Sequence, residues 1–153
     1  MAAGLEYRAP ILRRIAFLLT SSLHLNAPRA ALSAVLITRN AANVLEPCLD
    51  SLAFADEIVV VDSTSNDGTT ELAARRGARV VQKEWLGFGR QKQFAVEQAA
   101  HDWVLCLDAD ERVSPELAAS VVRTMHAPTT PVYRMARRVS SRRGCPVRHL
   151  HLW

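Results

Sequence analysis

The chain has 153 residues, 49% of them apolar, enough for one domain with a sizeable core. Its formal charge of +4 is unevenly spread: residues 1 to 133 carry 13 Lys or Arg against all 15 acids, and Arg134, Arg137, Arg138, Arg142, Arg143 and Arg148 follow with no acid. The basic pI therefore describes the tail and is weak evidence for a general nucleic-acid binder; anionic lipid, a phosphate-bearing substrate or nothing specific could each meet such a tail.

Residues 1–30 form a lead-in whose apolar stretch, Ile11 to Leu19, is interrupted by Arg13 and Arg14 and is too short to span a bilayer, where about 20 residues are needed. It is expected to be an amphipathic helix resting on a membrane surface or on the domain itself. Leu32–Thr38 barely alternates and predicts a buried, parallel strand. Asn40 or Asn43 is placed to cap the next helix, through Leu45, Cys48, Leu49 and Leu52, with Pro47 required in its first turn. Asn40 could instead meet a ligand at the strand edge.

Glu57–Asp62 predicts a second strand ending in a carboxylate, and Ser63 to Thr69 a polar turn from which Asp67 or Thr69 caps a helix closed by Gly77. Ala78 to Gln82 is a third, shorter strand. Strand, helix, strand, helix, strand is a parallel α/β unit. Neither G-x-G-x-x-G nor G-x-x-x-x-G-K-S/T occurs, so no glycine-lined phosphate loop is expected. Gly87 and Gly89 mark a turn before a helix carrying Phe94, Val96 and Ala100, with Arg90 or Lys92 able to face a phosphate.

Trp103 to Leu107 is an apolar run that ends in Asp108, Asp110 and Glu111. On extended backbone, residues two apart point the same way, so Asp108 and Asp110 would converge on one hard cation. Alone, a D-x-D is more often a solvated acidic turn; Asp62, Asp108 and Asp110 on one sheet edge reverse that balance. Ser114 and Pro115 start a further helix, Ala127-Pro128 breaks it, and Val132 to Val139 has strand character before a basic turn around Gly144. Cys48, Cys106 and Cys145 match neither a zinc nor a disulfide pattern and read as reduced thiols.

The blocks Val35 to Asn40, Ala55 to Ser63, Asn66 to Thr69, Gly87 to Lys92 and Asp102 to Arg112 together make the chain resemble family 2 glycosyltransferases of the GT-A fold, similar to bacterial lipopolysaccharide-core β-1,4-glucosyltransferases. The resemblance runs from Leu32 to about Arg138. It implies an α/β fold with a Rossmann-related, mostly parallel sheet flanked by helices, incomplete at the C-terminus, with a nucleotide-sugar-binding domain over 31–139 and a basic tail over 140–153.

It further implies that Thr38 and Asn40 line the nucleotide pocket, Asp62 holds the uracil or its neighbourhood, Lys92 shapes the donor pocket, Asp108 approaches ribose and metal, and Asp110 is the principal ligand of a Mg²⁺ or Mn²⁺. Transfer of a hexose from a UDP-glucose-like donor to a lipopolysaccharide-core or other cell-envelope acceptor, with inversion, is the implied activity. A cytoplasmic site, with peripheral contact on the inner face of the membrane, is the implied location. The pattern departs at Ala41, at Asn43-Val44 and at Gln93. The acceptor region that supplies a general base would lie further on, and Glu111, within the donor motif, is not expected to be that base. The alternative expectation is a noncatalytic nucleotide-sugar-binding or assembly protein.

Overall fold

The computed structural model describes residues 28–137 and 148–151; the expected N-terminal lead-in helix, the turn around Gly144 and Cys145 lie outside them. Four strands, β1 (Leu32–Thr38), β2 (Glu57–Asp62), β3 (Arg79–Gln82) and β4 (Trp103–Asp108), form a wholly parallel sheet in the order β3-β2-β1-β4. The expected strands of this sheet therefore hold, with β3 starting one residue later than expected and β4 ending at Asp108 rather than staying extended through Asp110. A short antiparallel pair, β5 (Arg134–Arg137) with β6 (Arg148–His151), stands apart from that sheet.

The sheet grows in one direction through β1, β2 and β3, then returns across β1 to place β4. Right-handed crossovers in opposite directions put their helices on opposite faces. Accordingly α1 (Ala42–Asp50) and α2 (Thr69–Arg75) share one face, α3 (Phe88–Glu97) covers the other, and α4 (Pro115–His126) returns to the first. Ala34 and Leu36 of β1 meet Leu45, Leu49 and Met125 on one side, while Val35, Val59 and Val61 meet Ala95 on the other. With both faces covered, β1 has no polar side to show, which is why its sequence does not alternate. Burying one such Leu contributes roughly 1.5–3 kcal/mol.

Two helix starts differ from expectation: α2 has Gly68, not Asp67 or Thr69, at its N-cap position, and α1 differs as well. Neither Asn40 nor Asn43 caps α1; its N-cap position is Ala41, which has no cap to offer. The orphan donors are instead met from the loop after β2: the Ala41 N–H donates to Thr69 Oγ1 at 2.8 Å and the Ala42 N–H to Asp67 Oδ2 at 3.0 Å. Pro47 stands in the interior of α1 rather than its first turn. It removes the bond that would reach Asn43, a cost set against the burial of its neighbours Leu45, Cys48 and Leu49. The α4 start is as read: Ser114 accepts from the Leu117 N–H and Pro115 takes the first position.

Helix α2 ends as expected at Gly77, whose φ is +81°. The Gly77 N–H bonds the Ala74 carbonyl and the Ala78 N–H the Ala73 carbonyl, a Schellman ending. A Cβ here would meet nothing within 4 Å, so Gly77→Ala tests backbone strain alone. A loss of about 1 kcal/mol in urea unfolding is expected.

At the amino ends of the strands, Arg29 Nη1 and Nη2 reach the Asp56 carboxylate at 2.6 and 2.9 Å, and Asp56 also accepts the Leu32 N–H at 2.8 Å. The Arg29 guanidinium, then the Leu32 amide, hold Asp56 below its ordinary pKa. Burial works against charge on Glu57, but bonds from Ser33, the Ala100 N–H and Arg79 outweigh it and lower its pKa too. Both carboxyls are lower in the folded state, so the unfolded chain binds more protons as the solution acidifies. The stability they supply is complete above about pH 5 and fades as pH falls through their folded pKa values. An acid titration followed by circular dichroism is expected to show this fall, and Asp56→Asn to reduce its steepness.

Candidate functional site

The order β3-β2-β1-β4 reverses direction between β1 and β4, so the chain leaves their carboxyl ends on opposite faces and opens a crevice there, the place where open α/β sheets bind ligands. Register brings the ends level, with Thr38 opposite Asp62 and Ile37 opposite Asp108. Both β1 and β2 are followed by a non-glycine residue at positive φ, Asn40 at 50° and Thr64 at 54°. For a β-branched residue such as Thr64 this is a rare, costly conformation, and such strain concentrates at functional sites.

The first cluster is built around Asp62. Its side chain is fully buried, and both oxygens are engaged: Oδ1 accepts from the Thr38 hydroxyl at 2.8 Å and the Ser65 hydroxyl at 2.5 Å, and Oδ2 from the Ser65 N–H at 2.8 Å. Ser65 Oγ in turn accepts the Asn40 N–H at 2.7 Å, while Asn40 Oδ1 accepts the Asn66 N–H at 3.0 Å. Thr38, Asn40 and Asp62 are thus brought together, as a brace that holds the loops after β1 and β2 in their strained form. Asp62 is occupied inside the protein rather than open to the crevice.

The second cluster lies at the end of β4. Lys92 Nζ is 2.9 Å from Asp108 Oδ1, with 39% and 34% of the two side chains exposed. The backbone does not stay extended through the D-x-D. Strand β4 stops at Asp108, and residues 108–111 close a turn in which the Glu111 N–H donates to the Asp108 carbonyl at 3.0 Å and Glu111 Oε2 accepts the Asp108 N–H at 2.9 Å. Asp108 and Asp110 therefore share a tight turn rather than one strand face. Glu111 folds back on that turn.

Cys48 lies beneath the turn, its Sγ 3.7 Å from the Asp108 carbonyl oxygen. Burial, then the charges of Glu111 and Asp110, push its thiol up to about 12. Cys106, on the α3 side of β4, is also raised, chiefly by burial, and both are free thiols.

Among the described residues no group of three or more His, Cys, Asp or Glu is arranged to cage a metal. A hard cation that keeps water and substrate phosphates needs only one or two protein carboxylates. Half-exposed Asp108 and exposed Asp110 on one turn fit an ion of that kind. Asp62, buried two strands away from β4, does not join them.

Gln91 is the residue whose part the sequence did not disclose. It is fully buried at the start of α3; its Nε2 donates to Ser63 Oγ at 3.0 Å and to the Lys83 carbonyl at 3.4 Å, and its Oε1 accepts the Leu86 N–H at 3.2 Å. It ties the loops after β2 and β3 to the helix that carries Lys92. A glutamine beside a glycine-rich turn looks like ordinary surface, and nothing in its spacing announces burial.

A cavity of about 320 Å³ lies elsewhere, between β4, α4 and β5, lined largely by Leu32, Trp103, Leu117, Val121, Tyr133 and Met135. It sits toward the amino half of β4, and its walls lack the grouped acids of the carboxyl edge.

Comparison with known proteins agrees with this geometry. Residues 33–150 match Glycosyl transferase family 2. An uncharacterized glycosyltransferase of Rickettsia bellii is 47% identical over 87 residues, covering 56% of this chain and 30% of that protein. The lipopolysaccharide core biosynthesis glycosyltransferase LpsC of Rhizobium meliloti is 38% identical over 117 residues, 72% of this chain and 43% of that one. The chain thus spans less than half the length of either relative.

Among solved structures, mannosyl-3-phosphoglycerate synthase of Rubrobacter xylanophilus superposes with a TM-score of 0.55 at 32% identity, over 65% of this chain and 37% of that one. TarS 1-349 of S. aureus gives 0.54 at 28%, over 61% and 31%. With the match covering nearly the whole sheet and both acid-bearing strand ends, the chain belongs to glycosyl transferase family 2.

Proposed function

We propose that this chain is the donor-binding part of a GT-A glycosyltransferase that transfers a hexose from a nucleotide sugar to a lipopolysaccharide-core or other cell-envelope acceptor, with inversion at the anomeric carbon. The observation that carries the reading is the β1–β4 crevice, where a half-exposed Asp108, an exposed Asp110 and the Lys92 ammonium stand at the carboxyl ends of parallel strands. The relationship to LpsC supports the acceptor class, and a UDP-hexose is the proposed donor.

In this reading the strained loops after β1 and β2, braced by Asp62, shape the nucleoside side of the pocket. Asp108 and Asp110 would hold a Mg²⁺ or Mn²⁺, which supplies charge stabilisation to the leaving diphosphate. Lys92 adds a positive charge on the same side. No helix among the described residues is long and apolar enough to cross a membrane. The proposed setting is the cytoplasmic side, with peripheral membrane contact through the N-terminal stretch or the basic tail and no role for nucleic acid.

Nuclear magnetic resonance of the chain with UDP-glucose, UDP-galactose, UDP-N-acetylglucosamine and GDP-mannose, each with Mg²⁺ present, tests the donor class. Saturation transfer to one nucleotide sugar supports the reading, and incubation with core oligosaccharide then separates transfer from binding without transfer. Failure of all four donors would remove it.

A further inference from the structure

We infer that Lys92 is the resident counter-ion of Asp108, given up when the cation enters and transferred to the donor's diphosphate, so that the site takes cation and nucleotide together rather than the cation alone. The inference rests on the donor-site reading above and assigns Lys92 a role in the order of binding.

The geometry begins with α3. Gln91 is buried and bonded to Ser63, Lys83 and Leu86, which fixes the start of the helix against two loops. Lys92, the next residue, has its backbone held in place; only its four-carbon stem is left to move. That stem carries the ammonium to Asp108 from the α3 side of the sheet, while Glu111 bonds the Asp108 N–H and Cys48 lies under the turn from the α1 side. Asp108 is thereby gripped by side-chain, amide and carbonyl contacts before any ligand arrives. Part of the Lys92 side chain remains exposed, so its head can change partners without being dragged through the core.

Charge decides the exchange. Asp108, Asp110 and Glu111 bring three negative charges, and Lys92 and Arg112 two positive. A divalent cation placed on Asp108 while the ammonium stays on the same carboxylate sets like charges a few ångströms apart, with one positive charge in excess. A diphosphate arriving with the cation relieves both problems, because its oxygens accept from an ammonium with three donors to give. Lys92 therefore opposes the cation alone and favours cation plus nucleotide.

The test compares the wild-type chain, Lys92→Met and Lys92→Arg. Electron paramagnetic resonance of Mn²⁺ without nucleotide is expected to show about tenfold tighter binding by Lys92→Met, with Lys92→Arg close to wild type. With Mn²⁺ saturating, UDP is expected to bind Lys92→Met about tenfold more weakly. Opposite signs on the two ligands are what a merely structural lysine would not give. Equal Mn²⁺ affinity in wild type and Lys92→Met, or an unchanged UDP affinity, would overturn the inference. If the wild type binds Mn²⁺ but no UDP at all, the donor-site reading itself has failed, and that is seen before any variant is compared.

Discussion

Asp62→Ala is expected to lower the unfolding free energy by about 3 kcal/mol or more, among the larger losses a single substitution gives. The carboxylate is fully buried and accepts three hydrogen bonds, from the Thr38 hydroxyl and from the hydroxyl and N–H of Ser65. Truncation leaves these donors facing a small void, and each unmet buried donor costs roughly 1–3 kcal/mol, offset in part by relaxation of the hydroxyl rotors. The loops would loosen as well, since Ser65 also holds the Asn40 amide. Asp62→Asn keeps the volume and one acceptor oxygen but turns an NH₂ toward a donor. It is expected to be destabilised by less than Asp62→Ala in guanidinium unfolding, and an order reversed from this would mean that the brace is not the reason for the acid.

Gln91→Leu is expected to cost about 2–3 kcal/mol, because it removes the partners of the buried Ser63 hydroxyl and of the Leu86 N–H. The change conserves bulk, so packing loss is small and the polar term dominates. Its second effect is local: hydrogen exchange at Leu86 and in the first turn of α3 is expected to quicken more than exchange in β1. Uniform quickening would assign Gln91 to general stability instead.

The parts of the fold legible in the sequence are those set by burial on both faces. Val35 to Thr38, Val59 to Asp62 and Val104 to Asp108 are apolar runs closed by a polar residue, and each is a parallel strand ending at the carboxyl edge of the sheet. Ser114-Pro115 and Gly77 were equally readable, because their conformations are dictated by the residue itself.

What was not legible depends on contacts made across the chain. The α1 start has Ala41 at its cap position because Thr69 and Asp67, more than twenty residues later, supply the acceptors. The turn through Asp110 is set by the Glu111 carboxylate folding back, which spacing alone cannot distinguish from a continued strand. The division of labour between Asp62, turned inward, and Asp108, half-exposed and paired with Lys92, follows from burial rather than from the identical residue type.

The central claim, a cation-dependent nucleotide site at the carboxyl edge of β1 and β4, is tested most directly by calorimetric titration of the full chain with UDP and UDP-glucose, with and without Mn²⁺, beside an Asp110→Ala variant. Asp110 is exposed on its turn, so the variant is expected to fold as the wild type does. Saturable binding that requires Mn²⁺ and weakens by about tenfold or more in Asp110→Ala is the predicted result. Mn²⁺-independent binding of the same strength in both proteins, or no binding to a folded wild type, would contradict it.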